Sequence, residues 1–567
     1  MDNQRLLIWG LVIILGWMTW QTWQQEYGPQ PIQQPAEQAV SQTADLAPEI
    51  PTGDEDLPPI ATTDDALPST PEVAEQLEAA PGAATITVST DVFDLTISTA
   101  GGTLQGAILR KYPVAKDRPD DLVNLLETSG KGYGVIESGV RAAGGAAEAT
   151  HLVTFQAAQT SYELGDADEL IVPLTWRDAS GVTVEKRYRF TRGSYRIDLE
   201  QVVTNGSAEA WKGAEYVRIK RHSAEVERSM FDVDSYSFVG PIIYDGEGSD
   251  KLKRDDLLED GPVEFNSAQG WLGSIQHHFV RAVVPTTGVE YKYNISVRGD
   301  FATSSAIRRG LVAIEPGDNE TFATALFVGP KLQSQLGAID KSLKLTVDYG
   351  WLTIISGPLF WLLSLVHGYI ANWGVAIIIV TFLIKLAFYK LTESSGRSMA
   401  KMRQIQPRMK ALQDRYKDDR QALSQAMMEL YKREKVNPAA GCLPILIQMP
   451  FFLAFYWVLL ESVEMRQAPF ALWITDLSTR DPYFILPLIM GAAMLFQQKL
   501  NPAPTDPVQA KVMQIMPIMF TVFFAFFPSG LVLYWVTNTL LSIAQQWKIN
   551  RVVEAQAKAQ KGGKKQD

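Results

Sequence analysis

The chain has 567 residues, 46% hydrophobic and 20% charged, with one cysteine and a formal net charge of −11. That length implies several folded units, the lone Cys442 excludes an internal disulfide, and the acidic balance argues against a specific nucleic-acid partner. The charge is also segregated, with fourteen acids and no Lys or Arg over 6–109, eleven basic residues against six acids over 393–441, and six against two over 548–567, which is the signature of a membrane and excludes a soluble enzyme.

Residues 6–20 (LLIWGLVIILGWMTW) are uncharged and fall just short of the roughly 20 needed to cross a bilayer; extension to Trp23 makes up the difference. A cleaved signal peptide is the other reading. Only Arg5 precedes the run, however, and Trp17, Trp20 and Trp23 stand where a small-residue cleavage site belongs. We read 1–23 as an anchor with a cytoplasmic N-terminus and an interfacial Trp belt. Residues 24–84 turn to Pro, Gln, Ala and acids, which bury too little apolar surface to offset their ordering entropy; they read as a disordered linker.

From 85 the pattern alternates (TITVSTDVFDLTIST, then VTVEKRYRFTRGSYRIDLEQVV, with Asn205-Gly206 as a turn), predicting antiparallel strands with one buried face. We expect an exported β-sandwich domain over 85–345, closing with a helix over 331–345. Its chemistry is not disclosed. His277-His278 lacks a further ligand for a metal, the acidic loop 245–260 lacks EF-hand spacing, and the sequons at Asn205 and Asn294 are short enough to recur by chance. No nucleotide loop, nucleophile elbow or HExxH is present, so no catalytic residue, metal or cofactor is expected.

Residues 349–391 are apolar over about twice the length of one span. Two spans here would put the basic 393–441 segment on the exported side, against the positive-inside tendency. Residues 346–371 therefore read as an interfacial helix anchored by Trp351 and Trp361, and the Asn372-Trp373-Gly374 break starts a core over 372–547. Its spans are expected at about 372–392, 442–460, 483–500, 512–527 and 531–547, the last two joined by Pro528-Ser529-Gly530. With the anchor, the fold class is a six-helix transmembrane α bundle carrying a large exported all-β sandwich, both termini cytoplasmic and 548–567 a basic tail. The span 512–527 is sixteen residues, about 24 Å against a core of about 30 Å, which favours local thinning.

The cytoplasmic segment 395–436 reads as a helical hairpin, with Met399, Met402, Ile405, Met409, Leu412 and Tyr416 on one arm and Leu423, Met427 and Leu430 on the other. These stripes either pack on each other or offer Met402, Met409 and Met427, flanked by Arg403, Arg408 and Lys410, as an adaptable docking face.

Lys385 does not fit its surroundings, IIIVTFLIKLAFYKL. A Lys at the centre of a span costs roughly 2.5–3.5 kcal/mol. Snorkelling is one explanation, since the interface marked by Lys390 is about 10 Å away. The other is a site. Thr381 and Thr392 share its helical face. Tyr534, Asn538, Ser542 and Gln545 form a second polar stripe, and Gln448 adds a polar group before Pro450. Polar faces in apolar helices turn towards each other or towards water, so these residues imply a wet, positively charged cavity open to the cytoplasmic half.

The stretches NWGVAIIIVTFLIK, KVNPAAGCLPILIQMPFFLAFYWVL, RQAPFALWITDLSTRDPYFILP and FPSGLVLYW resemble the YidC family of bacterial membrane protein insertases, and the likeness runs through the whole chain in order. The resemblance implies that the exported β sandwich is periplasmic. It also implies a helix-lined groove open to cytoplasm and lipid, closed on the outside, with one cation that receives nascent membrane proteins. That cation is usually Arg and here falls on Lys385, which keeps the charge without the planar fork. The groove threonine falls on Thr381, the contact surface of the last span on Tyr534 and Trp535 (the second often Tyr), and the structural prolines and aromatics on Pro444, Pro450 and Phe452. The family also implies the Sec translocon and the ribosome as partners, the latter suiting the basic hairpin and tail. A secondary transporter with a periplasmic binding domain is the alternative, although the internal repeats usual in transporters are missing.

Overall fold

Alternation is realised residue by residue between 85 and 330. In Val182–Thr191, Val182, Val184, Lys186, Tyr188 and Phe190 point inward while their neighbours are part-exposed. In Arg196–Asn205 the inward set is Ile197, Leu199, Gln201, Val203 and Asn205, and the two strands pair antiparallel. The computed structural model describes residues 83–223, 237–416, 419–434, 436, 443–500 and 507–563. The expected anchor 1–23, and the linker apart from its last two residues, lie outside that set.

Among the described residues the strands form two sheets, one of eleven and one of nine. The nine-stranded sheet runs in the order Ser249–Lys251, Val239–Tyr244, Trp271–Gln276, Phe279–Pro285, Asn319–Pro330, Arg196–Asn205, Val182–Thr191, Glu169–Arg177 and Gln156–Ala157. Between the sheets lies a core that includes Trp211, Trp271, Tyr188, Phe190 and Phe327. The sandwich also encloses charge. Lys186 is 0% exposed and donates to the carbonyls of Gly101 (2.5 Å) and Ser138 (2.7 Å) and to Ser138 Oγ (2.8 Å). Burial lowers its amine to about 7. Ser138 is itself 1% exposed, so this Ser–Lys pair is a structural bond with no access for a substrate. Asn205, 0% exposed, spends its amide on the carbonyls of Ile314 and Glu209, so its sequon cannot carry a glycan.

Ten helices are numbered in chain order among the described residues. The β domain contains α1 (Arg254–Glu259) and α2 (Gln333–Ile339). The helix expected over 331–345 is in two pieces. Asp340 is extended (φ −149°) and its carboxylate accepts from Ser342 N–H at 2.7 Å, ending α2 and starting a 3-10 turn over Lys341–Thr346. Helix α3 (Thr353–Ile370) closes on Ala371 in the left-handed region (φ 55°), and Asn372 Oδ1 then accepts from Val375 N–H at 3.0 Å to begin α4 (Trp373–Ala387). The Asn-Trp-Gly break is thus a cap-to-cap junction, and Gly374 is needed there because a Cβ would fall 2.1 Å from the Phe470 ring.

Helix α5 (Tyr389–Arg415) leaves α4 at a 70° bend around Phe388. The expected span to 392 therefore stops at 387, and Thr392, beyond the bend with its hydroxyl on the Phe388 carbonyl (3.0 Å), does not continue the face of Lys385. Asp419 caps α6 (Arg420–Arg433), accepting from Gln421 and Ala422 N–H. The bundle continues with α7 (Leu443–Glu461), α8 (Ile485–Leu500), α9 (Pro507–Phe524) and α10 (Ser529–Gly563). Helix α10 has 35 residues, so the expected last span and most of the basic tail are one rod; its extension is rich in Ala, Gln, Lys and Arg, all good helix formers. Gly350–Ile370 is the one described helix long and apolar enough to cross a bilayer. Helices α4 and α5 qualify only as a bent pair, and Ile447–Glu461, Ile485–Leu500 and Lys511–Phe524 are shorter apolar helices.

Candidate functional site

Helix α4 is inside-out in the sense of a soluble protein. Its buried face carries Gly374, Ile377, Thr381 and Lys385, while Phe382, Leu383 and Leu386 stand 50%, 39% and 58% exposed. Thr381 is 1% exposed and returns its hydroxyl to the Ile377 carbonyl at 2.6 Å, which keeps it from needing a partner across the bundle. Lys385 is 8% exposed, and its amine donates to Ser542 Oγ on α10 at 2.7 Å. That hydroxyl donates in turn to the Asn538 carbonyl at 2.7 Å. One turn further along α10, Gln545 reaches the carbonyl of Tyr389 at the bend (3.2 Å). The cation thus rests on a neutral hydroxyl, and among the described residues no carboxylate is bonded to it. A neutral acceptor leaves its charge uncompensated and able to attract an anion.

Above this cation, Tyr534 is 4% exposed and stacks on Phe455 at 4.5 Å. Trp535 meets Phe452 edge-on at 4.8 Å and Phe524 at 5.2 Å. Phe452 lies 6.3 Å from Tyr534, so α7, α9 and α10 share one aromatic wall. Gln448 is half-buried one turn before Phe452, Pro450 stands between them, and Pro444 lies in the first turn of the same helix. Sequence reasoning named Phe452, Tyr534 and Trp535 but missed Phe455, Phe524 and Phe520, the last stacked 6.3 Å from Trp535. The signal was available as aromatic residues at helical spacing on two neighbouring segments.

The loop between α7 and α8 was also missed as a site. Asn372 Nδ2 donates to the Phe470 carbonyl (2.8 Å), Ser529 N–H to Thr479 (2.7 Å) and Gly530 N–H to Leu477 (2.9 Å). Asp481, 1% exposed, accepts from Trp473 Nε1 (3.1 Å), Tyr483 N–H (3.0 Å) and Leu486 N–H (2.7 Å), fixing the start of α8. One loop thereby ties together the leading ends of α4, α8 and α10. Lys385 lies twelve residues beyond Trp373, about 18 Å down α4 from this seal.

The β domain grips the same loop. Arg466 donates to the carbonyls of Pro113 (2.8 Å) and Val114 (2.9 Å), Tyr349 meets Ser462 at 3.1 Å, and His277 Nε2 lies 3.0 Å from the Leu460 carbonyl. Lys331, 2% exposed, pairs with Glu461 at 3.9 Å. Burial pushes the Glu464 carboxyl up to about 7 and the Lys331 amine down to about 8. The His277-His278 pair thus belongs to a joint between domains.

In the hairpin, Ile405, Met409, Leu430 and Val436 form a small core on which Met402, Leu412, Met427 and Tyr431 pack. The three methionines considered for docking therefore face the opposite arm. Arg408 pairs with Glu434 at 2.7 Å, Lys410 is exposed, and Arg403 turns towards α10.

The family described as 60Kd inner membrane protein matches residues 365–557, and the YidC periplasmic domain matches residues 85–362. A "Membrane protein insertase YidC" of Nitrosococcus oceani is 46% identical over 98% of this chain and 99% of its own length. The protein of the same description from Thioalkalivibrio sulfidiphilus is 46% identical over 98% of this chain and 100% of its own, and that of Methylococcus capsulatus 45% over 98% and 99%. The transporter alternative finds no support among them.

Proposed function

This chain belongs to the YidC family of membrane protein insertases, and on that premise we propose that Lys385 receives the hydrophilic flank of a nascent inner-membrane protein while the aromatic wall takes its apolar segment. The chain is an inner-membrane protein with a periplasmic domain, and it acts on nascent membrane proteins within lipid. The observation that carries the reading is the cation on the inward face of α4, bonded among the described residues to a hydroxyl and to no carboxylate.

The energetics need no nucleotide. Twenty apolar residues at about −0.3 to −0.6 kcal/mol each release roughly 6–12 kcal/mol on entering lipid. The obstacle is the polar tail. A carboxylate 4 Å from Lys385 at an effective dielectric of about 20 gains about 4 kcal/mol at most. An outside-positive potential then favours its export by about 2.3 kcal/mol per 100 mV. Thr381, Gln448, Asn538 and Ser542 supply the polar lining, Tyr534 and Trp535 the sliding surface, and Pro444, Pro450 and Phe452 the shape of the wall.

In this reading the chain crosses the membrane six times, counting 1–23, and both termini are cytoplasmic. Helix α3 lies along the outer interface, consistent with Trp351 and Trp361 at 78% and 64% exposed. The basic hairpin, through Arg408, Lys410 and the surface beside Met402, Met409 and Met427, and the tail approach the ribosome, while Arg403 faces α10. The core works alone or beside the Sec translocon.

The reading is tested with purified full-length protein in proteoliposomes without nucleotide. A single-span substrate with an acidic tail is expected to become integrated and its tail protease-protected. Failure of the chain to insert it unaided would reduce the protein to a scaffold for other factors.

A further inference from the structure

Where α5 passes α10, the two helices flank an open-mouthed cavity of about 210 Å³ lined by Ala400, Arg403, Gln404, Asn550, Val553 and Glu554. Its polar groups are poorly spent. Asn550 is 8% exposed and its Oδ1 accepts from Gln546 at 2.9 Å, but its buried Nδ2 has no hydrogen-bond partner among the described residues. A buried donor left without an acceptor is a liability of roughly 1–3 kcal/mol that native structures rarely carry without a reason. Arg403 and Glu554 are both exposed, and neither forms an ion pair with the other or with any described residue. A positive and a negative group therefore face one hollow without neutralising each other.

The depth of the cavity is marked by its neighbours. Trp547 is 50% exposed and Arg551 lies 4.1 Å over its ring, a pairing suited to the membrane–water interface. Asn550 is three residues beyond Trp547 and Glu554 seven, which places the cavity about 5–10 Å past that marker along α10. The headgroup layer on each side of a bilayer has about that thickness.

We propose that this cavity binds the headgroup of a zwitterionic phospholipid of the cytoplasmic leaflet. Its phosphate lies against the Arg403 guanidinium and Asn550 Nδ2, and its primary ammonium against Glu554. A guanidinium and an amide N–H are both donors, as a phosphate requires, and a carboxylate is the acceptor an ammonium requires. A glycerol headgroup would satisfy the first pair and leave Glu554 idle. The lipid would staple the hairpin arm to the last helix, independently of the role given to Lys385.

The test is native mass spectrometry of the full chain from detergent with phosphatidylethanolamine, phosphatidylglycerol or soluble O-phosphoethanolamine. The native protein is expected to retain phosphatidylethanolamine about tenfold better than phosphatidylglycerol, a difference of one well-placed charge-assisted bond. Glu554→Gln, a surface change that leaves packing intact, should abolish that preference while keeping both lipids. Arg403→Ala and Asn550→Leu should lose both. Equal retention of the two lipids by the native chain, or an unchanged preference in Glu554→Gln, overturns the proposal. So does displacement of the lipid by O-phosphoethanolamine, which would assign the cavity to a soluble phosphate, or by a short RNA, which would assign it to a nucleic-acid backbone.

Discussion

Replacing Lys385 with Met is expected to leave the bundle folded and to abolish rescue of cells depleted of their own insertase. Among the described residues the amine has Ser542 as its one bonded partner, and that hydroxyl keeps its own bond to the Asn538 carbonyl when the amine is removed. Deleting the cation also relieves the roughly 2.5–3.5 kcal/mol of burying it in a span, so folding should hold or improve. What disappears is the attraction for an acidic tail, up to about 4 kcal/mol, or three orders of magnitude in recruitment at the limit. Lys385→Glu should be worse still, because it repels the same tail. Lys385→Arg should rescue growth, since a guanidinium keeps the charge and adds donors. Growth on Lys385→Met equal to the native chain would remove the charge from the mechanism.

The second large effect is expected from Asp481→Ala at the outer seal. This carboxylate, 1% exposed, is the acceptor for the Trp473 indole and for two backbone N–H groups at the start of α8. Removing it leaves one fully buried donor, Leu486 N–H, and two part-buried ones without this acceptor, at roughly 1–3 kcal/mol for the buried group and less for the others, a large share of a typical domain's stability. The full-length variant should accumulate poorly, and its thermal midpoint in detergent should fall by many degrees. Asp481→Asn keeps an acceptor oxygen but swaps the other for an amide, so it should fall between. An unshifted midpoint in Asp481→Ala would show that the loop is not what holds these helix ends together.

Local rules carried the sequence reading a long way in some places and failed in others. The strands around Val184 and Leu199 were legible because period-two alternation survives when one face is buried. The junction at Asn372 was legible because a capping residue announces a helix start. Which strands lie side by side was not, since Arg196–Asn205 pairs with Asn319–Pro330 across more than a hundred residues and no local signal encodes that choice. The bend at Phe388 was hidden because neither Pro nor Gly marks it; it follows from packing against α10, whose Gln545 takes the Tyr389 carbonyl. Lys385 and its stripe on α10 could be paired from polarity alone, because polar groups in apolar helices must find each other. The seal escaped notice because Asp481 looks like an ordinary loop acid until its burial is seen. The division of labour in the hairpin was left open by periodicity, and the packing of Met409 against Leu430 favours an internal core.

The most direct measurement is photo-crosslinking to a ribosome-stalled single-span client in native membranes, with the probe placed in turn at Trp535, Thr381 and Leu383. The account predicts strong adducts from Trp535, in the aromatic wall, and from Thr381, one turn before the cation on the inward face of α4, and far weaker ones from the outward-facing Leu383. Adducts of equal yield from all three positions, or from Leu383 alone, would mean that clients slide along the lipid-facing surface and never meet Lys385.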